Sequence, residues 1–362
     1  MPNANVHYGC KSGHHSNWKC YLVDLLYDIG NTLCTVSEKE LKLRVLSFWV
    51  FIASALIGTG GLSAKPTPEA RLLSSGSEVA TWVIPADDPQ HKTPILYLHG
   101  GPGMYTEDRR ITEGQVFRDL GFTTIYYDQA GGGQSKQIPA SEYTIDRAVL
   151  DLEALRTSLN AEKLILWGNS YGATLAATYA DRYPGRVAAL IFTSPGTFPG
   201  TKPKRDYKVT ARGKVKPGKS VKKAVKIIDN AGSDAEQKLS QTEAGVVFDE
   251  LLNSGLMGGM ICKGSAFEIE ALPGGGNFYA NRRIQDTIKT LEFDRDDLPK
   301  KPTITLRGSC DFHLKENAEL YGKMFGGALV EVVGSGHGLL ENRKFVDQVL
   351  TEFAKNALAD IE

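Results

Sequence analysis

The stretch LILWGNSYGATLAATYADR, residues 164–182, sets a serine between two glycines, with a continuous apolar run before it and small residues after it. Leu164, Ile165, Leu166 and Trp167 read as a strand covered on both faces. Residues 171–182 read as a helix, so Ser170 falls on the turn that joins the two. A strand, a sharp turn with the spacing glycine-x-serine-x-glycine, and a helix form the setting of a nucleophile elbow. Gly168 and Gly172 give the turn room and lift the hydroxyl above the sheet. Ala173, Ala176 and Ala177 then let the helix pack closely. The glycine spacing by itself describes any glycine-rich connection equally well, and it is the flanking elements that favour the nucleophile.

Outward from this turn, short apolar runs alternate with amphipathic segments. Residues 78–85, 94–98, 123–127, 163–167, 187–193, 303–307 and 328–333 read as strands. Between them, residues 144–159 carry Ile145, Ala148, Val149, Leu152, Leu155 and Leu159 at helical spacing behind a capping Thr144, and residues 342–358 carry Phe345, Val349 and Phe353. This alternation implies an α/β fold with a mostly parallel central sheet. It breaks between 194 and 299, which reads as a mainly helical cap inserted over the C-terminal edge of the sheet, where open α/β sheets bind ligands. The expected organisation is therefore a leader over 1–64, a core over 65–193, a cap over 194–299 and the rest of the core over 300–362. The cap opens on the basic run KPKRDYKVTARGKVKPGKSVKKAVK. With little aromatic interleaving and acidic residues close behind, it reads as a solvated helical face rather than a nucleic-acid site.

An unactivated serine hydroxyl is a weak nucleophile and needs a base. Downstream of Ser170 there are two histidines, His313 and His337. His337 lies in VVGSGHGLLEN, after a strand and before the last helix, with glycines on both sides. His313 is two residues from the acid candidate, a poor spacing for a base. That acid is Asp311 in TITLRGSCDFH, on the loop after a late strand, where a carboxylate can hold the His337 imidazole in one tautomer. Asp128 precedes the serine and reads as fixing its own loop. Upstream, LYLHGGPGMY leaves a strand with a backbone nearly free of side chains. One amide of this loop, with that of Tyr171, would bind an oxyanion. The glycines match neither a P-loop, which needs a following lysine, nor a dinucleotide fingerprint. His99 reads as fixing the loop.

The chain has 362 residues, 41% hydrophobic and 23% charged, with a formal charge of zero. That composition is that of a soluble globular protein, and nothing in it points to nucleic acid. Residues 45–64, VLSFWVFIASALIGTGGLSA, follow Lys42 and Arg44 and end in small residues. They read as a secretory signal, with a membrane anchor as the alternative. Because signals begin chains, residues 1–40 read as an over-long start. Export to the periplasm or medium is the expectation, with membrane contact only through an uncleaved 45–64. Cys10, Cys20 and Cys34 sit in this leader near His7, His14 and His15 but match no zinc spacing. Cys262 and Cys310 are the two cysteines of the body, and the sequence leaves open whether they pair.

Four elements in order, HGGPG, YYDQAGGGQS, GNSYG and the pair Asp311 and His337, resemble the proline iminopeptidase family of α/β-hydrolases, which are serine peptidases. The resemblance covers about residues 68–360. It implies an α/β-hydrolase fold with an inserted cap, no metal or organic cofactor, and removal of an N-terminal residue, often proline, from short peptides. Carried across, Ser170 is the nucleophile, Asp311 the acid and His337 the base, and Gly101 and Tyr171 supply the oxyanion amides. Two departures stand out. Ala130 replaces the arginine of the family's DQRGxGxS loop, and the cap has no tryptophan, although family members that release proline use tryptophan and glutamate there to bind the amine. Glu250, Glu268 and Glu270 are the remaining amine anchors. The competing functions are an esterase or small-amide hydrolase with the same triad, and a non-catalytic binding protein on the same fold. The oligomeric state is not encoded in any of these features.

Overall fold

The computed structural model describes residues 66–361 apart from 213–216, 231–233, 294–297 and 299. The apolar segment 45–64, the three leader cysteines and the over-long start all lie outside the described residues. Among the described residues no helix is long and apolar enough to cross a membrane.

The strands are β1 Glu69–Leu72, β2 Glu78–Ile84, β3 Ile95–Leu98, β4 Thr124–Tyr127, β5 Leu164–Asn169, β6 Val187–Thr193, β7 Thr303–Gly308 and β8 Ala328–Val332. They form one sheet in the order β1-β2-β4-β3-β5-β6-β7-β8. β1, β2 and β4 pair antiparallel, and every pairing from β4 through β3 to β8 is parallel. All seven strands expected from the sequence are present. β1 is the additional one. Its residues Glu-Ala-Arg-Leu are largely exposed and Leu72 faces solvent, so no burial pattern marks it.

The helices are α1 Asp108–Glu113, α2 Gln115–Arg118, α3 Ile145–Ser158, α4 Tyr171–Arg182, α5 Lys219–Asn230, α6 Ala235–Lys238, α7 Gln241–Asn253, α8 Phe278–Lys289, α9 Lys315–Phe325 and α10 Arg343–Phe353. Alternate residues of β5 supply two cores. Leu164 and Leu166 join α3, α4 and the inserted helices on one face, and Ile165 and Trp167 join Ile111, Phe117, Val346 and Leu350 on the other. This is why the central strands are continuous apolar runs. The Thr144 hydroxyl accepts the Arg147 amide and caps α3, as its sequence predicts. α10 corrects the expected stripe. Val346, Leu350, Ala354 and Leu358 are buried and Val349 and Phe353 pack against this core partly buried, whereas Phe345 faces solvent.

Between β6 and β7, helices α5, α7 and α8 pack on one another. α5 buries Val221, Ala224 and Ile228 and leaves Lys222, Lys223 and Lys226 in solvent, so residues 219–226 of the basic run form a solvated helical face, whereas 202–212 carry only the short 3-10 turn Tyr207–Val209. α7 begins with a reciprocal cap between Ser240 and Glu243, and the Asn277 side chain caps α8. The start of α8 rests on the loop after β3. The Asn277 amide donates to the Gly103 carbonyl at 2.8 Å and the Asn281 side chain to that of Pro102 at 2.9 Å.

Close packing of α4 under the sheet sets a strict size limit at its second residue. A Cβ on Gly172 would lie 1.9 Å from the Leu98 carbonyl oxygen. Helix propensity alone would make Gly172→Ala stabilising by about 1 kcal/mol. The steric contact reverses the sign, and urea unfolding is expected to show a loss of about 2 kcal/mol or more.

Candidate active site

The parallel register brings four loops to one edge of the sheet. Leu98 lies beside Gly168 and Gly308 beside Val332, so the HGGPG loop, the Ser170 turn, the Asp311 loop and the His337 loop all leave the C-terminal ends of β3, β5, β7 and β8. Ser170 adopts φ 54° and ψ −120°, a region disfavoured for any residue with a side chain. Three backbone hydrogen bonds hold it there. Its amide donates to the Thr193 carbonyl at 3.1 Å, and its carbonyl accepts from Gly196 at 2.8 Å and Ala173 at 3.0 Å. Gly168 is required beside it, since a Cβ there would come within 2.5 Å of the Gly172 carbonyl oxygen.

The Ser170 Oγ lies 2.9 Å from Nε2 of His337, and Nδ1 of the same ring lies 2.8 Å from Asp311 Oδ1. Asp311 and His337 are both buried. Burial alone would raise the Asp311 carboxyl, but the charge and hydrogen bond of His337, with the nearby His313, outweigh it and hold the group below its ordinary value. The His313 amide donates to the same Asp311 Oδ1 at 2.8 Å, so the carboxylate is oriented from two sides. Phe312 covers the His337 ring, their centroids 4.3 Å apart.

The HGGPG loop lies directly against the serine. A Cβ on Gly100 would meet the Ser170 Cβ at 2.9 Å. Gly101, at φ 122° and followed by a cis peptide to Pro102, shares with Tyr171 the narrow cavity of about 60 Å³ that opens at Ser170. His99 fixes this loop. Its Nε2 accepts the Gln129 amide at 2.9 Å, and the Gln129 side chain donates to the His99 carbonyl at 3.0 Å. Asp128 fixes its own loop by accepting the amides of Thr106 and Gln134. Without an arginine at Ala130, the loop is braced from above, where Asn277 donates to the Gly131 carbonyl and the Tyr143 hydroxyl.

The three glutamates expected to anchor an amine do not line the cavity at Ser170. Glu250 is exposed on α7. Glu268 and Glu270 line a separate cavity of about 580 Å³, together with Glu107 and Asp108. Tyr105 and Leu340 also border it, and these residues follow the HGGPG loop and His337 in the chain.

Two supports carried no sequence signal. The buried Arg110 of α1 pairs with Glu113 at 2.6 Å and donates to the side chain of Asn169, the residue before the nucleophile, at 3.3 Å. Glu113 also pairs with Arg343 at 3.1 Å, at the start of α10, and despite burial these arginines keep its carboxyl below the ordinary range. A charge network thus spans from the serine turn to the helix behind the histidine loop. The second support is a disulfide between Cys262 and Cys310, which ties the inserted segment to the residue before Asp311. Beside it, Glu341 accepts the amides of both Cys262 and Gly336, and Gly338 donates to the Met260 carbonyl at 2.7 Å. Nothing in the sequence paired these groups.

Residues 93–217 match the family model described as alpha/beta hydrolase fold. An esterase of Thermogutta terrifontis superposes with a TM-score of 0.57 over 81% of this chain and 99% of its own, at 18% identity. The chain has the α/β-hydrolase fold. A second α/β-hydrolase likeness is to the bromoperoxidase of Bacillus anthracis, with a TM-score of 0.55 over 80% of this chain and all of that one, again at 18% identity. By sequence the chain is 42% identical over 106 residues to a putative proline iminopeptidase of Mycoplasma pneumoniae, 29% of this chain and 32% of that protein. It is 36% identical over 86 residues to the proline iminopeptidase of Thermoplasma volcanium, 24% of this chain and 28% of that one. The chain therefore spans about a third of the length of these curated relatives.

The histidine beside the triad gives the fold a measurable pH response. Burial, helped by the positive charge of His337 and the nearby Arg205 and Arg307, pushes the His313 ring down to about 3, against the pull of Asp311. Between pH ~6.5 and ~3 the unfolded chain binds a proton that folded His313 refuses, so stability falls as pH falls, by at most about 1.4 kcal/mol per pH unit. His313→Asn removes that term. Chemical denaturation at pH 6.5 and 4.5 is expected to show the variant losing roughly 2 kcal/mol less than wild type over the interval.

Proposed function

We propose that the protein is a serine hydrolase that cleaves the bond after the N-terminal residue of short peptides through an acyl-enzyme. The observation that carries this reading is the chain of contacts from Ser170 Oγ to His337 Nε2, and from Nδ1 to the buried Asp311. In the reaction Ser170 Oγ attacks the scissile carbonyl carbon while His337 Nε2 takes the hydroxyl proton. Asp311 stabilises the resulting imidazolium and fixes its tautomer. The amides of Gly101 and Tyr171 hold the oxyanion as the carbonyl becomes tetrahedral. His337 returns the proton to the departing amine, leaving an ester on Ser170. Water then attacks the ester, giving its proton to Nε2, and the acid product leaves as that proton returns to Ser170.

The aminopeptidase specificity is supported by the local likeness to proteins named proline iminopeptidase and by the cavity that Glu268, Glu270 and Asp108 line beside the paired Arg109 and Glu107, whose net negative charge suits a substrate ammonium. A second reading, an esterase or small-amide hydrolase without need of a free amine, is favoured by one observation. Among the described residues lining the cavity at Ser170 there is no carboxylate. Export is part of the proposal, supported by the signal-like segment and by the disulfide, which belongs to an oxidising compartment.

Proline, alanine and leucine 4-nitroanilides, their N-acetylated forms and 4-nitrophenyl butyrate separate these readings. The peptidase reading predicts turnover of the free anilides at least about tenfold faster than of the blocked ones, and equal rates would contradict it. Turnover of the ester alone would establish the second reading. In either case Ser170→Ala is expected to lower kcat by about 10⁴-fold or more.

A further inference from the structure

We propose that the cavity at Ser170 binds a carboxylate carried by the substrate, so that the preferred peptides are those short enough to bring a free C-terminus to it, dipeptides first. This rests on the hydrolase reading above and specifies the substrate of that same site.

The lining of the cavity is one-sided in charge. Beyond Ser170 and the two loops, its polar side chains include Arg205, Lys289, Gln285 and His313, and among the described residues no aspartate or glutamate lines it. Arg205 makes no ion pair among the described residues. Its backbone is fixed by a bridge to His313, and the neighbouring Asp206 amide donates to the Phe312 carbonyl at 2.8 Å. The guanidinium therefore starts from an anchored position on the wall that carries the acid loop. Lys289 pairs with Asp286 at 2.6 Å, but both side chains are more than half exposed, and such a pair is a weak competitor for the ammonium.

A second observation points to a ligand independently. His313 is 5% exposed, and its Nδ1 has no hydrogen-bond partner among the described residues. A buried polar nitrogen without a partner costs free energy, and this one belongs to a side chain that lines the reaction cavity. Burial keeps the ring neutral, so in the tautomer protonated at Nδ1 it donates one hydrogen bond and adds no charge. A carboxylate at this wall engages the Arg205 fork. A carboxylate suits this wall better than an ammonium, because its charged side chains among the described residues, Arg205 and Lys289, are both cations. At about 60 Å³ the cavity at the serine is of a size for a small terminal group.

The test compares two matched pairs on the full chain. Alanyl-alanine against alanyl-alaninamide places the carboxylate on the leaving side. Mono-4-nitrophenyl glutarate against 4-nitrophenyl butyrate places it on the acyl side. The expected result is a preference of about tenfold in kcat/KM for the acid in at least one pair, the equivalent of one charge-assisted contact. The preference should weaken as salt is raised. In Arg205→Gln, an exposed substitution, it is expected to fall below about threefold. His313→Gln is expected to lower it as well. Turnover without an acid preference in either pair, or a preference that survives in both variants, would overturn the proposal and leave the hydrolase reading intact. No turnover of any of the four compounds by the wild type would overturn both.

Discussion

The positive φ of Ser170 is the constraint around which the rest of the active site is arranged. A serine at φ 54° and ψ −120° costs about 1–3 kcal/mol in backbone strain, and a residue relaxes out of such a state unless its surroundings forbid it. Here they do. β5 is fully buried on both faces, α4 is pressed against the Leu98 carbonyl through Gly172, and the serine's own amide and carbonyl are held by Thr193, Gly196 and Ala173. The strain places the hydroxyl above the sheet edge, and it is distributed over contacts far larger than the turn.

Once the serine is fixed, the partners follow from the parallel register. Because β3, β5, β7 and β8 run the same way, the loops carrying Gly101, Asp311 and His337 come off the same edge as Ser170. Burial then sets the chemistry. Asp311 is ionised in a site that would otherwise favour its neutral form, because the charge and hydrogen bond of His337, with the His313 amide, outweigh burial. His313 is neutral in the same site because burial, helped by the His337 charge, pushes its ring down. The inserted helices belong to this framework. Met260, the Cys262–Cys310 disulfide and the Glu341 carboxylate clamp the acid and base loops from one side, and Asn277 holds the glycine loops from the other.

Much of this was legible in the sequence because its signals are local. The apolar run before Ser170, the small residues after it and the glycines around His99 and His337 each report their own backbone setting, and the strand pattern follows from burial on both faces. What was not legible depends on pairs far apart in the chain. β1 has no buried face to mark it. Of the stripe read in α10, Val349 and Phe353 pack partly buried and Phe345 faces solvent, since helix phase is set by the sheet it meets. Arg110, Glu113 and Arg343 look like ordinary surface charges until α1 and α10 are brought together beneath Asn169. The three glutamates read as amine anchors were chosen by residue type alone. Glu268 and Glu270 lie on a long irregular segment that carries no periodic signal, and Glu250 lies on the exposed face of α7.

The most direct test of the central claim, that Ser170 is an activated nucleophile, is covalent trapping. The protein is treated with a fluorophosphonate, and the adduct is located by peptide mass spectrometry. The account predicts one adduct per chain, on Ser170, formed far more slowly in His337→Ala. A wild-type protein that stays unmodified, or one modified at another residue with Ser170 untouched, would contradict it.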